Sequence, residues 1–248
     1  MTEKLFLLNT FQFECAAKVL ADDDSISVHQ DKCVVLLDRT VFHPQGGGQP
    51  ADRGQIVCSA KNAIFEVEDV RMFDGTVAHF GVWHDAQLKF VAGDSVQCSI
   101  DERWRRECAR AHSGGHLIDI AMAAVGKKLP PVKCCHFPQQ EVYVGYSGKV
   151  DDPTALQQQL TVEVKRLIEN NVDVQVKQSV TPDDCESLGV EPVGDETRVV
   201  QIGNYDGCAC GGTHVNATGQ LDGLRIDNVR SRKGKTTVFY SFVNPIDG

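Results

Sequence analysis

The sequence predicts an α+β protein with a strand-rich first part, read as a small barrel or a sandwich, followed by a part that mixes helices and strands. Three observations carry this. Over residues 1–97, short apolar segments alternate with turn residues at close intervals. Near Asp101 a charged, helix-like run takes over, which puts the boundary near residues 96–101. Beyond it, helix starts alternate with further strand patterns. The domains are therefore drawn as 1–97 and 98–248. A chain of 248 residues suits one large or two modest domains. With 42% hydrophobic and 24% charged residues it is an ordinary globular composition, which excludes collagen, a disordered tail and a disulfide miniprotein.

Taken in order, Val34 to Leu37, Gln55 to Cys58 and the interleaved run Ile64 to Val70 read as strands. Asp74-Gly75 and Gly93-Asp94 mark turns, and Val96, Cys98 and Ile100 alternate behind the second. Asp101 caps a helix reaching about Val125, with a break expected at Ser113-Gly114-Gly115. Its basic residues Arg103, Arg105, Arg106 and Arg110 stand beside Asp101, Glu102 and Glu107, so pairing within the helix is expected. Asp152-Pro153 opens a second helix with Leu156, Leu160, Leu167 and Ile168 on one stripe, ended by Asn170-Asn171. A strand over Val172, Val174 and Val176 follows, then a short helix at Thr181-Pro182 and a strand from Arg198 to Ile202. A hairpin turns at Arg232 to Lys235. Apolar runs such as Cys33 to Leu37 are far too short to cross a bilayer. Glu3 and the brief Leu5 to Leu8 run do not form a secretory signal, so the ten cysteines are expected mostly as buried thiols in the cytoplasm.

Three segments bear chemistry. His112 and His116 are four apart, which on a helix places both imidazoles on one face. At that spacing two unrelated histidines are the commoner case. Cys210 and His214, in Cys208-Ala209-Cys210-Gly211-Gly212-Thr213-His214, are also four apart, on a tight loop or a helix start. Together the pairs supply three imidazoles and a thiol, a zinc-like donor set that neither pair makes alone. Cys208 ranks below Cys210. In His43-Pro44-Gln45-Gly46-Gly47-Gly48-Gln49-Pro50 the glycines expose backbone amides, but no Lys-Ser/Thr follows, so this is no P-loop. Neither a G-x-S-x-G nor a C-x-x-C motif occurs.

These segments, in this order, resemble the alanyl-tRNA editing family, the freestanding relatives of the editing domain of alanyl-tRNA synthetase. The stretch Asp38 to Gly54 looks like its glycine-rich motif, His112 to His116 like its HxxxH motif, and Cys210-Gly211-Gly212-Thr213-His214 like its CxxxH motif. By length the resemblance is to the intermediate class, a barrel plus an editing domain. Two features depart from the pattern: Ser113-Gly114-Gly115 replaces Thr-Ala-x, and Cys134-Cys135-His136-Phe137-Pro138 stands where a Gln-x-Gly-Ser stretch is usual.

The resemblance implies a β-barrel over 1–97 and, over 98–248, the two-layer α/β editing domain shared with threonyl- and alanyl-tRNA synthetases. It implies zinc held by His112, His116, Cys210 and His214. It further implies hydrolysis of the aminoacyl ester of Ser-tRNA(Ala), with Gly-tRNA(Ala) as a second substrate. An alanine pocket cannot strongly reject small competitors, so a second hydrolytic sieve is needed. Gln49, Ser113 and Thr213 are the candidate catalytic-site residues, for recognition of the seryl hydroxyl. Gly46, Gly47, Gly48, Gly211 and Gly212 are candidates for substrate binding through their amides. Arg232, Lys233 and Lys235 lie in a run with a single acid, Asp227, and are candidates for phosphate contact. The expected partner is the acceptor end of tRNA(Ala), with no membrane and a monomeric state. A non-catalytic tRNA-binding module with structural zinc, and a zinc hydrolase of another ester, are the alternatives. The formal net charge of −9 argues against a generic nucleic-acid binder, but the acids fall in blocks such as Asp22 to Asp24, Asp151-Asp152, Asp183-Asp184 and Asp195-Glu196.

Overall fold

The computed structural model describes residues 1–21, 33–193 and 197–244. The acidic blocks Asp22 to Asp24 and Asp195-Glu196 lie outside them. The chain forms two compact units, Met1–Gly46 with Pro50–Arg106, and Gly47–Gln49 with Glu107–Gly248. The division after Arg106 falls inside a helix, later than the 97/98 boundary drawn from the sequence. The reason is the first turn of that helix. Arg105 is fully buried, pairs with Asp52 and donates to the carbonyl of Thr10 at 2.6 Å, all within the first unit. The expected pairing within the helix holds for Arg106 with Glu102, but not for Arg105.

The first unit holds β1 (Glu3–Lys4), α1 (Leu5–Leu8), β2 (Glu14–Ala21), β3 (Cys33–Leu37), β4 (Arg39–Thr40), β5 (Gly54–Cys58), β6 (Ala63–Phe73), β7 (Thr76–Trp83) and β8 (Ser95–Ile100). Among the described residues, strands in the order β2-β3-β7-β6-β5-β8 close a barrel. Closure decides between the barrel and the sandwich, and it removes the exposed sheet edges. Asp74 and Gly75, both at positive φ, make the two-residue turn between β6 and β7. Strand β2 escapes the sequence pattern. Its inward residues are Cys15, Ala17 and Val19, and the first two are too small to give a strong alternating signal.

The second unit is α+β. It contains most of α2 (Glu102–Ala124), then β9 (Pro131–Cys135), β10 (Val142–Ser147), α3 (Pro153–Glu169), β11 (Val174–Val180), α4 (Pro182–Ser187), β12 (Thr197–Ile202), β13 (Cys208–Ala209), β14 (Leu224–Arg232) and β15 (Lys235–Phe242). An antiparallel sheet runs β14-β15-β10-β9, and a smaller one runs β11-β12-β13. Helix α3 starts as the sequence predicts: Asp152 accepts from the Ala155 amide at 2.9 Å, with Pro153 at the first helical position. Its buried stripe is Leu156, Leu160, Val164 and Leu167. This stripe and Leu117, Ile118, Ala121 and Met122 of α2 share one core with Val144, Ile226 and Val238 of the sheet.

Helix α2 does not break at Ser113-Gly114-Gly115. Both glycines serve close packing there. A Cβ on Gly114 would stand 2.9 Å from Leu224 Cδ1, and one on Gly115 would overlap the His136 ring. Replacing a mid-helix glycine by alanine ordinarily stabilises by about 1 kcal/mol. Here Gly115→Ala is expected to destabilise by about 1–3 kcal/mol through overpacking. A denaturant midpoint that rises instead of falling would contradict this.

Candidate metal centre

The site is assembled in the second unit from three segments distant in sequence. Helix α2 supplies His112 and His116, whose rings stack with centroids 5.1 Å apart. The loop after β13 supplies Cys210 and His214. This loop is irregular rather than a helix start. Its approach to α2 depends on Gly212, because a Cβ there would overlap the His112 ring. Arg198 of β12 donates to the Cys210 carbonyl.

The donor atoms of His112, His116, Cys210 and His214 all lie within 4.8 Å of one another. Cys210 Sγ stands 3.5 Å from His112 Nε2 and 3.3 Å from His214 Nε2. His116 Nε2 is buried without a hydrogen-bond partner among the described residues. Burial, with a smaller contribution from the Arg198 charge, pushes the His116 pKa down to about 4 and keeps the ring neutral. Burial also pushes the Cys210 thiol up. Three imidazoles, one of them held neutral, and one thiol converging on a point are the donor chemistry of a zinc site.

The far ring nitrogens of His112 and His214 are held. Gln49, buried at the end of the glycine loop, places Oε1 2.7 Å from His112 Nδ1 and accepts with it from the Thr213 amide at 3.0 Å. Gln49 Nε2 donates to Thr213 Oγ1 at 2.8 Å. Ser113 Oγ lies 3.2 Å from His214 Nδ1 and accepts from the Val215 amide at 3.1 Å. All three candidates for hydroxyl recognition are fully buried, Gln49 and Ser113 against the far nitrogens of His112 and His214 and Thr213 against Gln49. Of the glycine amides, that of Gly212 already donates to Cys210 Sγ at 3.4 Å. Gly47 and Gly48 turn at positive φ beside His112 and His136, Gly46 is exposed in the first unit, and Gly211 is exposed with open space around it.

Arg232, Lys233 and Lys235 are exposed at the tip of the β14–β15 hairpin. They form no ion pair among the described residues, whereas Arg225 pairs with Asp227 and Arg230 approaches Glu141 at 3.9 Å. Five residues of extended strand, about 17 Å, separate Lys235 from Tyr240, whose hydroxyl lies beside the site. The structure therefore does not bring the basic tip into the cluster. Cys208 is exposed and stands outside the four-donor group.

Two residues at the site escaped the sequence reading. His136, at the end of β9, stacks on His112 with centroids 4.8 Å apart, and its Nδ1 is 2.7 Å from Tyr240 Oη. Tyr240 donates its one proton to the Ala111 carbonyl at 2.7 Å, so His136 must carry its proton on Nδ1. The signal available was His136 itself, within the departure at Cys134 to Pro138. Tyr240 reads from sequence only as an alternating strand residue.

Comparison with known proteins agrees with this architecture. The family of class II (A) tRNA synthetases matches residues 2–104. The second additional domain of threonyl and alanyl tRNA synthetases matches residues 197–238. An alanine–tRNA ligase of Methanothrix thermoacetophila is 32% identical over 91% of this chain, which covers 24% of the ligase. The alanyl-tRNA editing protein AlaX-L of Pyrococcus horikoshii is 29% identical over 91% of this chain, covering 54% of that protein. An alanine–tRNA ligase of Thermobifida fusca is 32% identical over 79% of this chain and 22% of the ligase. The chain thus spans about half of the editing protein and a quarter or less of these ligases.

Replacing Gln49 by Leu leaves His112 Nδ1 and the Thr213 amide without their acceptor. The expected loss is about 1–3 kcal/mol for each unsatisfied group. Thermal unfolding of the metal-free protein measures it, and an unchanged midpoint would contradict the linkage.

Proposed function

The chain belongs to the alanyl-tRNA editing family, and from that premise we propose that it is a zinc-dependent hydrolase acting in trans, in the cytoplasm, on the aminoacyl ester of mischarged tRNA(Ala). The convergence of His112, His116, Cys210 and His214 carries this reading, with the unsatisfied His116 Nε2 as its sharpest detail. No helix among the described residues is long and apolar enough to cross a membrane. Ser-tRNA(Ala) is the proposed main substrate and Gly-tRNA(Ala) the second.

The four residues would hold the zinc, which when bound supplies Lewis acidity toward an ester carbonyl or a water. The protein's own groups define the rest. Gln49 and Ser113 hold the far nitrogens of His112 and His214, so both rings present Nε2 to the cluster. We read these two as positioning residues. Thr213 accepts from Gln49 and keeps its hydroxyl proton, the one available to a seryl oxygen. The amides of Gly47, Gly48 and Gly211, for which no hydrogen bond is seen among the described residues, are the proposed backbone contacts to the substrate. Four protein donors are also the mark of a closed, structural zinc site. The binding-module reading therefore stays as the opposite outcome of the test.

Incubation with Ser-tRNA(Ala) and Ala-tRNA(Ala) is the direct experiment. Loss of the seryl ester at least tenfold faster than the alanyl ester supports editing. No release with zinc bound supports the binding module, and equal release from an unrelated acyl ester supports a general esterase. Zinc titration of the His112→Ala, His116→Ala, Cys210→Ser and His214→Ala variants should show comparable loss of metal from each.

We also propose that Lys233 and Lys235 contact tRNA phosphate. Reversing both to Glu should weaken binding and flatten the dependence of log K on log salt by about 0.7–0.9 for each lost contact. An unchanged slope would place the RNA elsewhere.

A further inference from the structure

The geometry points to Asp119 as the residue that receives the α-ammonium group of the aminoacyl substrate. The inference rests on the aminoacyl-ester reading above and adds a recognition element to it. A cavity of about 410 Å³ in the second unit opens beside the cluster, and His116 forms part of its wall. Asp119 lines the same cavity, three residues further along α2. Residues three apart on a helix are neighbours on one face. Ile120, Ala123 and Ala124 continue the wall, and Val200 and Ile202 face them from β12. Two carboxylates, Asp119 and Asp206, line the cavity, and no lysine or arginine does. Its charge therefore suits a cation.

Asp119 is already oriented. Its Oδ1 accepts from Tyr146 Oη at 2.6 Å, and the second oxygen has no protein partner among the described residues. Burial raises its pKa to about 6, the state of a carboxylate that lacks a counter-charge. Every α-aminoacyl ester brings one. The α-nitrogen is two bonds from the ester carbonyl carbon, so a group that binds it must adjoin whatever holds the carbonyl. Asp119, beside His116, meets that condition. Asp206 follows β12 on the far side of the cavity from α2 and is the less suitable of the two.

The test compares seryl-tRNA(Ala) with N-acetyl-seryl-tRNA(Ala), which lacks the ammonium charge. The zinc-loaded wild type should prefer the free amine at least tenfold in kcat/KM. Asp119→Asn keeps the size and the bond to Tyr146, and should erase most of that preference through KM, with zinc content and thermal midpoint unchanged. A parallel binding measurement uses the non-hydrolysable amide, seryl-3′-amino-3′-deoxyadenosine, and its N-acetyl form. Tighter binding of the free amine by the wild type, lost in Asp119→Asn, supports the site even if no ester is cleaved. Absence of cleavage by the wild type would sink the hydrolase reading alone. A variant that retains the wild-type preference for the free amine, in either assay, overturns the assignment of Asp119.

Discussion

The side-chain amide of Gln49 is the contact on which the site depends. It ties the glycine loop, helix α2 and the loop after β13 into one place, across separations of 63 and 164 residues. The chemistry of an amide is needed. Its oxygen serves the His112 ring and the Thr213 backbone together, while its nitrogen donates to the Thr213 hydroxyl. An apolar side chain would leave all three groups unmet in a buried position. A carboxylate would add a buried charge and offer no proton to Thr213. The bond also fixes a tautomer. His112 donates from Nδ1 to Gln49, so its Nε2 lone pair faces Cys210.

Packing adds a second constraint. His112 lies 4.7–5.1 Å, centroid to centroid, from the rings of His116, His136 and His214. Such a group is tolerable only if the rings stay uncharged, since protonated imidazoles at this range repel one another. For two of the rings burial supplies the condition, pushing His116 down to about 4 and His136 down to about 3. The rings pack this closely because Gly115 and Gly212 present no side chain to them. Backbone shape thus brings the donors together, and hydrogen bonds select which nitrogens face inward.

The sequence makes some of this plain and leaves the rest hidden, for identifiable reasons. Capped helices and tight hairpins are local, so Asp152-Pro153, Asp74-Gly75 and the Arg232 to Lys235 turn are readable directly. The four donors are readable as two spaced pairs. Their meeting, across the 94 positions from His116 to Cys210, is a property of the fold. The glycines of α2 mislead because local propensity argues for a break, while tertiary packing requires the missing side chains. The candidate polar residues are identified by position, but their direction is not. Gln49 and Ser113 sit behind the imidazoles, which only their hydrogen bonds reveal. His136 and Asp119 carry no motif spacing, and their significance arises from a stacked ring in one case and a shared cavity wall in the other.

Charge distribution links these observations to the reading proposed above. An aminoacyl-tRNA carries charges of both signs, a polyanionic backbone and, at its end, one cationic amino group. A chain of net charge −9 is a poor general partner for the first. Arg225 pairs with Asp227 and Arg230 approaches Glu141, whereas Arg232, Lys233 and Lys235 at the hairpin tip form no ion pair among the described residues. The cavity beside His116 has carboxylates and no cation in its walls. Positive and negative surface therefore occur in separate places within one unit. On the reading proposed above, this separation limits nonspecific attraction to RNA and reserves the acidic lining for the cationic end of the substrate. On this account the overall acidity of the chain does not oppose the proposed function, because the recognition falls on a few placed charges and not on the sum.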